Sequence, residues 1–226
     1  MTSIINWRPF LKYHDGQLGM AQQTYEPLIS PDGKTFCANY DWRNRYQRMN
    51  SERPLYTKEV CDYFFEQEVK YINLFSSKPY APEVVDIDEK HKRIFIKWYN
   101  NNCNHSIYGD MRLDLQWYDM IKDIVTDQYN TGYYKLTMYP HCHYIDNHDN
   151  MRAIDWYGVV PIDRPYIEER YMQAIIHDSA RFRLEETGET KDNLIDLSIM
   201  FKRSLETHVL WGKSNMSYIY KEIFNG

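Results

Sequence analysis

Tyr139-Pro-His-Cys-His-Tyr-Ile-Asp-Asn-His-Asp-Asn-Met-Arg-Ala-Ile-Asp-Trp-Tyr-Gly158 decides how the rest of the chain is read. It predicts a strand over His143 to Ile145, a polar turn over Asp146 to Asn150, and a second strand over Met151 to Ile154. The chain then leaves the hairpin at Asp155, beside Trp156, Tyr157 and Gly158. A carboxylate at such an exit either caps the strand end or holds a metal ion on a phosphate. Local pattern leaves both open.

Working outward, two more hairpins precede this segment. Thr24 to Ser30 and Thr35 to Trp42 flank the turn signal Pro31-Asp32-Gly33. Glu83 to Asp88 and Arg93 to Trp98 flank a second polar turn. Between them lies a predicted helix from Thr57 to Phe75, with Thr57 as N-cap. Cys61, Phe64, Phe65, Val69, Ile72 and Phe75 recur at helical spacing, and Glu68 falls in the middle of their arc. A carboxylate on a buried stripe is costly without a partner. Glu68 therefore either has a designated partner, or snorkels past the edge of the stripe, or bonds to nearby backbone.

The polar connector at 99–109 is the expected lobe boundary, dividing the chain into residues 1–99 and 100–226. Beyond it the spacing predicts helices over Asp114 to Tyr129, Tyr166 to Glu186 and Asn193 to Trp211, with a short one over Asn215 to Phe224. The hairpin near 143–154 is embedded among them.

With 226 residues and 43% hydrophobic content, the chain can form a substantial core. A net charge of −5 argues against a protein that coats nucleic acid. The local basic run Arg43, Arg45, Arg48 and Arg53 reads as a solvated face or a small patch. The four cysteines (Cys37, Cys61, Cys103 and Cys142) form no C-x-x-C pair and suit a reducing cytosol. There is no long apolar leader at Met1 and no run of about 18 apolar residues, so a cytoplasmic protein that does not cross a membrane is expected. His141, His143 and His148, with Asp146 and Asp149, invite a metal-site reading. However, His141 and His143 would point to opposite sides of a strand. Cys142 between two histidines reads either as an activated thiol or as a structural cysteine.

The order of these elements resembles the protein-kinase-like fold. Phe65-Glu-Gln-Glu-Val-Lys70 looks like the start of the kinase regulatory helix, whose Glu pairs with a strand lysine. Tyr80-Ala-Pro-Glu-Val-Val-Asp-Ile-Asp88 resembles the strand that follows it in small bacterial and viral kinases. Ile94 to Tyr99 resembles the strand entering the adenine-binding hinge. Leu136 to Asp146 lies in the slot of the catalytic loop, and Ile154-Asp155-Trp156 in that of the metal-binding loop. The likeness spans about residues 20 to 160 and is of a type also found in bacteriophages.

It implies an α+β, bilobal architecture: an N-terminal antiparallel sheet with one helix, and a mainly helical C-terminal lobe. It also implies ATP with Mg²⁺ or Mn²⁺ as the ligand class, Glu68, Lys97, Trp98 and Tyr99 around the nucleotide, and Asp155 on the metal. Several departures weaken the catalytic reading. The positions of the catalytic-loop Asp and of the Asn five residues later are Thr137 and Cys142. Threonine is no base near neutral pH, and a thiol is a poor ligand for Mg²⁺. The strand lysine falls at Ala38, with Lys34 four residues earlier as the nearest base, and Gly16-Gln-Leu-Gly19 is the one candidate glycine loop. The resemblance therefore implies a pseudokinase acting through another protein (a host factor, in host cytoplasm, if the chain is viral). The alternative is an active phosphotransferase or nucleotidyl transferase with a rebuilt site, in which His141 or His143 takes over a loop role. A third possibility is a structural protein that has kept the fold and lost nucleotide binding.

Overall fold

The computed structural model describes residues 4–9, 26–43, 57–99, 115–135, 142–163, 166–168, 190–191 and 194–196. Strands β1 (Arg8–Pro9), β2 (Glu26–Ile29), β3 (Thr35–Asn39), β4 (Val84–Asp88) and β5 (Arg93–Lys97) form an antiparallel sheet of order β1-β2-β3-β5-β4. Helix α1 (Lys58–Phe75) is inserted between β3 and β4. Both predicted hairpins are present, with strands slightly shorter than expected. In the first turn the Asp32 carboxylate accepts from the Ser30 hydroxyl at 2.6 Å and the Lys34 amide at 3.0 Å, and Gly33 takes the left-handed φ of 72° that the turn needs.

Alternation along β3 and β5 sorts the sheet into two faces. Phe36, Ala38, Ile94 and Ile96 join Cys61, Phe64, Phe65, Ile72 and Phe75 of α1 in the main core. Cys37 and Phe95 point the other way, where Trp7 packs edge-on to Phe95 with ring centres 5.5 Å apart. Thr57 caps α1 as the sequence indicates, its hydroxyl accepting from the Val60 amide at 3.3 Å.

After the connector, which lies outside the described residues, helix α2 (Leu115–Asn130) buries Ile121, Ile124 and Val125. Strand β6 (Tyr133–Lys135) pairs with β9 (Val159–Pro161), and β7 (His143–Ile145) pairs with β8 (Met151–Ala153), all antiparallel. Helix α1 binds these pieces to the first sheet. Phe75 stacks on Trp156 at 5.2 Å, Phe64 meets Tyr157 edge-on at 5.3 Å, and Tyr71 meets Tyr133 at 5.5 Å. The Ala153 amide donates to the Tyr80 carbonyl at 2.8 Å. One continuous apolar cluster thus takes residues from both sides of the connector.

The C-terminal helices need correction where residues are described. Tyr166–Glu168 (β10), Thr190–Lys191 (β11) and Leu194–Asp196 (β12) form a three-stranded sheet of order β10-β12-β11. The expected helices over Tyr166 to Glu186 and Asn193 to Trp211 therefore begin as strands. Tyr-Ile-Glu and Leu-Ile-Asp each put a β-branched residue between two others, and Ile167 sits opposite Ile195. Apolar runs this short fit either period, and cross-strand pairing selects the extended form. Among the described residues beyond 100 there is one α-helix and a set of short strands rather than a mainly helical lobe. The helix expected over Asn215 to Phe224 lies outside the described residues. No helix among the described residues is long and apolar enough to cross a membrane.

Candidate functional site

Glu68 lies at the centre of the apolar face of α1 and is 1% exposed. Its carboxylate accepts the Tyr157 amide N–H at 2.6 Å and the Tyr40 hydroxyl at 3.3 Å. The Trp156 amide also acts on it. The two amide donors come from the tight 3-10 turn Trp156–Gly158, which Asp155 enters in the left-handed conformation, φ 63° and ψ 51°. Asp is one of the few non-glycine residues that accept this region readily. The Trp156 indole fixes the turn by donating to the Ala153 carbonyl at 2.9 Å and by packing against both Phe75 and Tyr80.

Asp155 is 1% exposed and Lys135 is 0% exposed. Lys135 ends β6 opposite Val159, the residue that follows the turn. Three ionisable side chains from α1, β6 and the β8–β9 turn thus occupy one dry region. Burial pushes the Glu68 carboxyl up to about 7, and the negative charge of Asp155 adds to the push. The Trp156 and Tyr157 amides and Lys135 pull the other way without prevailing.

Glu68 does not snorkel: it bonds to a loop backbone and to a tyrosine. Strand β3 carries no lysine, and Ala38 within it is buried against α1. Lys34 precedes β3 in the exposed turn, with its carbonyl accepting from the Trp98 amide at 2.7 Å. The register pairs Ala38 with Ile94, so no shift brings Lys34 to the site.

The expected nucleotide-edge residues lie in a separate group. Lys97 pairs with Glu83 at 3.0 Å and is half exposed. Tyr99 donates to Glu83 at 2.5 Å. Trp98 is buried between Phe36 at 5.2 Å and Tyr144 at 4.8 Å. His143 is buried on β7 opposite Ala153, and His148 sits in the exposed turn. Cys142 is buried, its carbonyl accepting from Ile154 at 2.8 Å. His141, Thr137, Cys103, the Gly16–Gly19 segment and Arg45, Arg48 and Arg53 lie outside the described residues, while Arg43 is held by Asp41 at 2.7 Å. Sequence reasoning missed Lys135. Its strand, Tyr133–Lys135, is too short for alternation to mark the lysine as inward.

Glu68 spends its carboxylate on amide and phenol donors, so Asp155 is the acid that would face a metal carried on phosphates. Among the described residues, no three His, Cys, Asp or Glu side chains converge.

A second charged group holds the β7–β8 hairpin. Asp146 accepts from the His148 and Asn150 amides at 2.8 and 3.0 Å and from Arg152 Nε at 2.8 Å. Arg152 also donates to the Ala81 carbonyl at 2.7 Å and pairs with Glu83 at 3.0 Å. Burial alone would raise the Asp146 carboxyl, but these donors outweigh it and bring it down to about 2.

No protein-family model matches the sequence, and no curated protein does. Among solved structures, the chain is similar to monomeric WbdD, with 12% identity, a TM-score of 0.48, and coverage of 93% of this chain and 49% of that one. It is also similar to a structure described as the bifunctional kinase-methyltransferase WbdD, with 10% identity, a TM-score of 0.48, and coverage of 98% and 46%. The chain spans about half the length of these structures.

Proposed function

We propose that this chain is a kinase-like protein with degraded phosphoryl-transfer machinery, a pseudokinase that works by contact with another protein. One observation carries the reading. The helix acid that would hold a strand lysine accepts the Tyr157 amide at 2.6 Å instead, and Ala38 stands where the lysine would be. Phosphoryl transfer depends on positioned charge around the phosphates, so losing that cation and the loop base together removes most of the rate enhancement. The partner is another protein (a host factor if the chain is viral), met in the cytoplasm. The net charge of −5 disfavours a polyanion such as nucleic acid.

The test is label transfer from ATP, on both the γ-phosphoryl and the adenylyl side, with Mg²⁺ or Mn²⁺. No transfer above a protein-free blank is expected. Transfer that disappears in Asp155→Asn would overturn the proposal. Nucleotide binding is read separately by thermal shift, since ATP at about a hundred times its dissociation constant stabilises a fold by roughly 2.7 kcal/mol.

A second reading is favoured by Glu68 and Asp155 sharing one buried region with a lysine. It is an active phosphotransferase or nucleotidyl transferase using ATP and Mg²⁺ or Mn²⁺. Asp155 would face the metal, Glu68 would anchor a cation, and His141 or His143 would serve the loop. Lys97, Trp98 and Tyr99 would border the base. It needs further ligands from outside the described residues, and the same label-transfer experiment decides it.

A further inference from the structure

Lys135 is among the largest fully buried side chains, and burying a lysine is expensive unless anions surround it. It is placed by β-pairing and not by chance of rotamer. The Lys135–Val159 register puts it against the strand that begins where the 156–158 turn ends, and amides of that turn hold Glu68. Asp155 opens the same turn. Among the described residues the cluster brings together two carboxylates and an ammonium, all at 1% exposure or less. The charge of Lys135 acts on Glu68, and so does that of Asp155.

We propose that Lys135 is the resident counter-cation of the Glu68–Asp155 pair, filling the electrostatic role of a divalent metal so that the folded chain holds both acids without one. What Lys135 replaces rests on the kinase-like reading; the neutralisation itself rests on the register, the burial and the action of the Lys135 charge on Glu68. Lys135 belongs to β6, which pairs with the strand that follows the Asp155 turn, whereas Ala38 belongs to β3. An ammonium fixed there repels a second cation, so the wild-type chain should be indifferent to Mg²⁺ and Mn²⁺.

The test is thermal denaturation of the full chain at pH 8, without nucleotide, in Mn²⁺ or Mg²⁺ against salt of equal ionic strength. Wild type is expected to show no metal-dependent shift. Lys135→Met keeps the length and removes the charge; it should melt about 6 °C lower or more and recover part of that loss in Mn²⁺. Lys135→Arg should resemble wild type and ignore metal. If Lys135→Met does not fold alone, Lys135→Met with Glu68→Gln removes one of the two acids and should fold better than the single variant.

Two results would overturn the proposal. One is stabilisation of wild type by Mn²⁺ that Asp155→Asn abolishes, which would put a metal beside Lys135. The other is Lys135→Met melting like wild type, with or without metal. Neither readout involves transfer from ATP. A chain that proved catalytic would leave this test standing, and failure here would leave the pseudokinase reading to its own experiment.

Discussion

Glu68 should make the protein less stable as the pH rises from 5 to 8. Its carboxyl stands at about 7 in the fold, against 4.5 ordinarily, because burial and the neighbouring Asp155 disfavour the charge. Between those two values the folded chain keeps a proton that the unfolded chain has released. Stability therefore falls with rising pH across that window and levels off above it. The whole window is worth about 3 kcal/mol, and the interval from pH 5 to pH 8 captures about 2.5 kcal/mol of it. For a chain of this size that is a drop in melting temperature of about 5 to 10 °C. Glu68→Gln keeps the shape and an oxygen to accept the Tyr157 amide, but it has nothing to titrate. The assay is urea denaturation of both chains at half-unit steps. The histidines and exposed carboxylates are common to both chains, so the difference between the curves belongs to the buried cluster. It should widen towards pH 8, where the substituted chain becomes the more stable of the two. Parallel curves from pH 5 to 8 would refute the argument, because they would mean the carboxylate is as well solvated in the fold as outside it.

Arg152→Met should destabilise the protein by about 3 kcal/mol at pH 7, measured by urea denaturation, because it leaves Asp146 buried without its cation. For Asp146 itself, a folded value of about 2 against 3.8 means stability is lost as pH falls from about 4 towards 2, and Asp146→Asn should remove that acid limb from the melting curve. Gly132 has φ 91° and open space where an alanine methyl would sit, so Gly132→Ala should cost about 1 kcal/mol in backbone strain alone, read from the shift in urea midpoint. Thr57→Ala removes the cap on the Val60 amide and should cost about 1 kcal/mol in the same assay.

Where the sequence could be read, local chemistry was enough. Pro31-Asp32-Gly33 and Asp146 to Asn150 each contain the side chain that closes their turn, so hairpin positions follow from a few adjacent residues. Helix α1 was legible because six apolar residues at helical spacing leave one arc, and Thr57 marks its start. Glu68 stood out as the member that broke the pattern, which is why its need for a partner could be inferred. The identity of that partner could not be. The Tyr157 amide lies far along the chain, and a backbone donor leaves no mark in residue type. Lys135 was hidden for a related reason: a three-residue strand is too short for its alternation to distinguish an inward lysine from an outward one. Tyr166 to Glu168 and Leu194 to Asp196 were misread because their short apolar runs suit a helix until Ile167 meets Ile195 across a sheet.

Two of the buried carboxylates, Asp146 and Glu68, show how the surroundings of an acid decide its acidity when burial is equal. Asp146 and Glu68 are equally hidden, at 1% exposure each, yet their acidities move in opposite directions. Asp146 gathers two amides, an amide side chain and a guanidinium, which together outweigh its desolvation, and the result is a tied hairpin. Glu68 receives amides and a phenol but shares its surroundings with the negative charge of Asp155, and its desolvation prevails. Evolution towards stability alone would replace such a cluster with apolar side chains of similar volume, often at no loss.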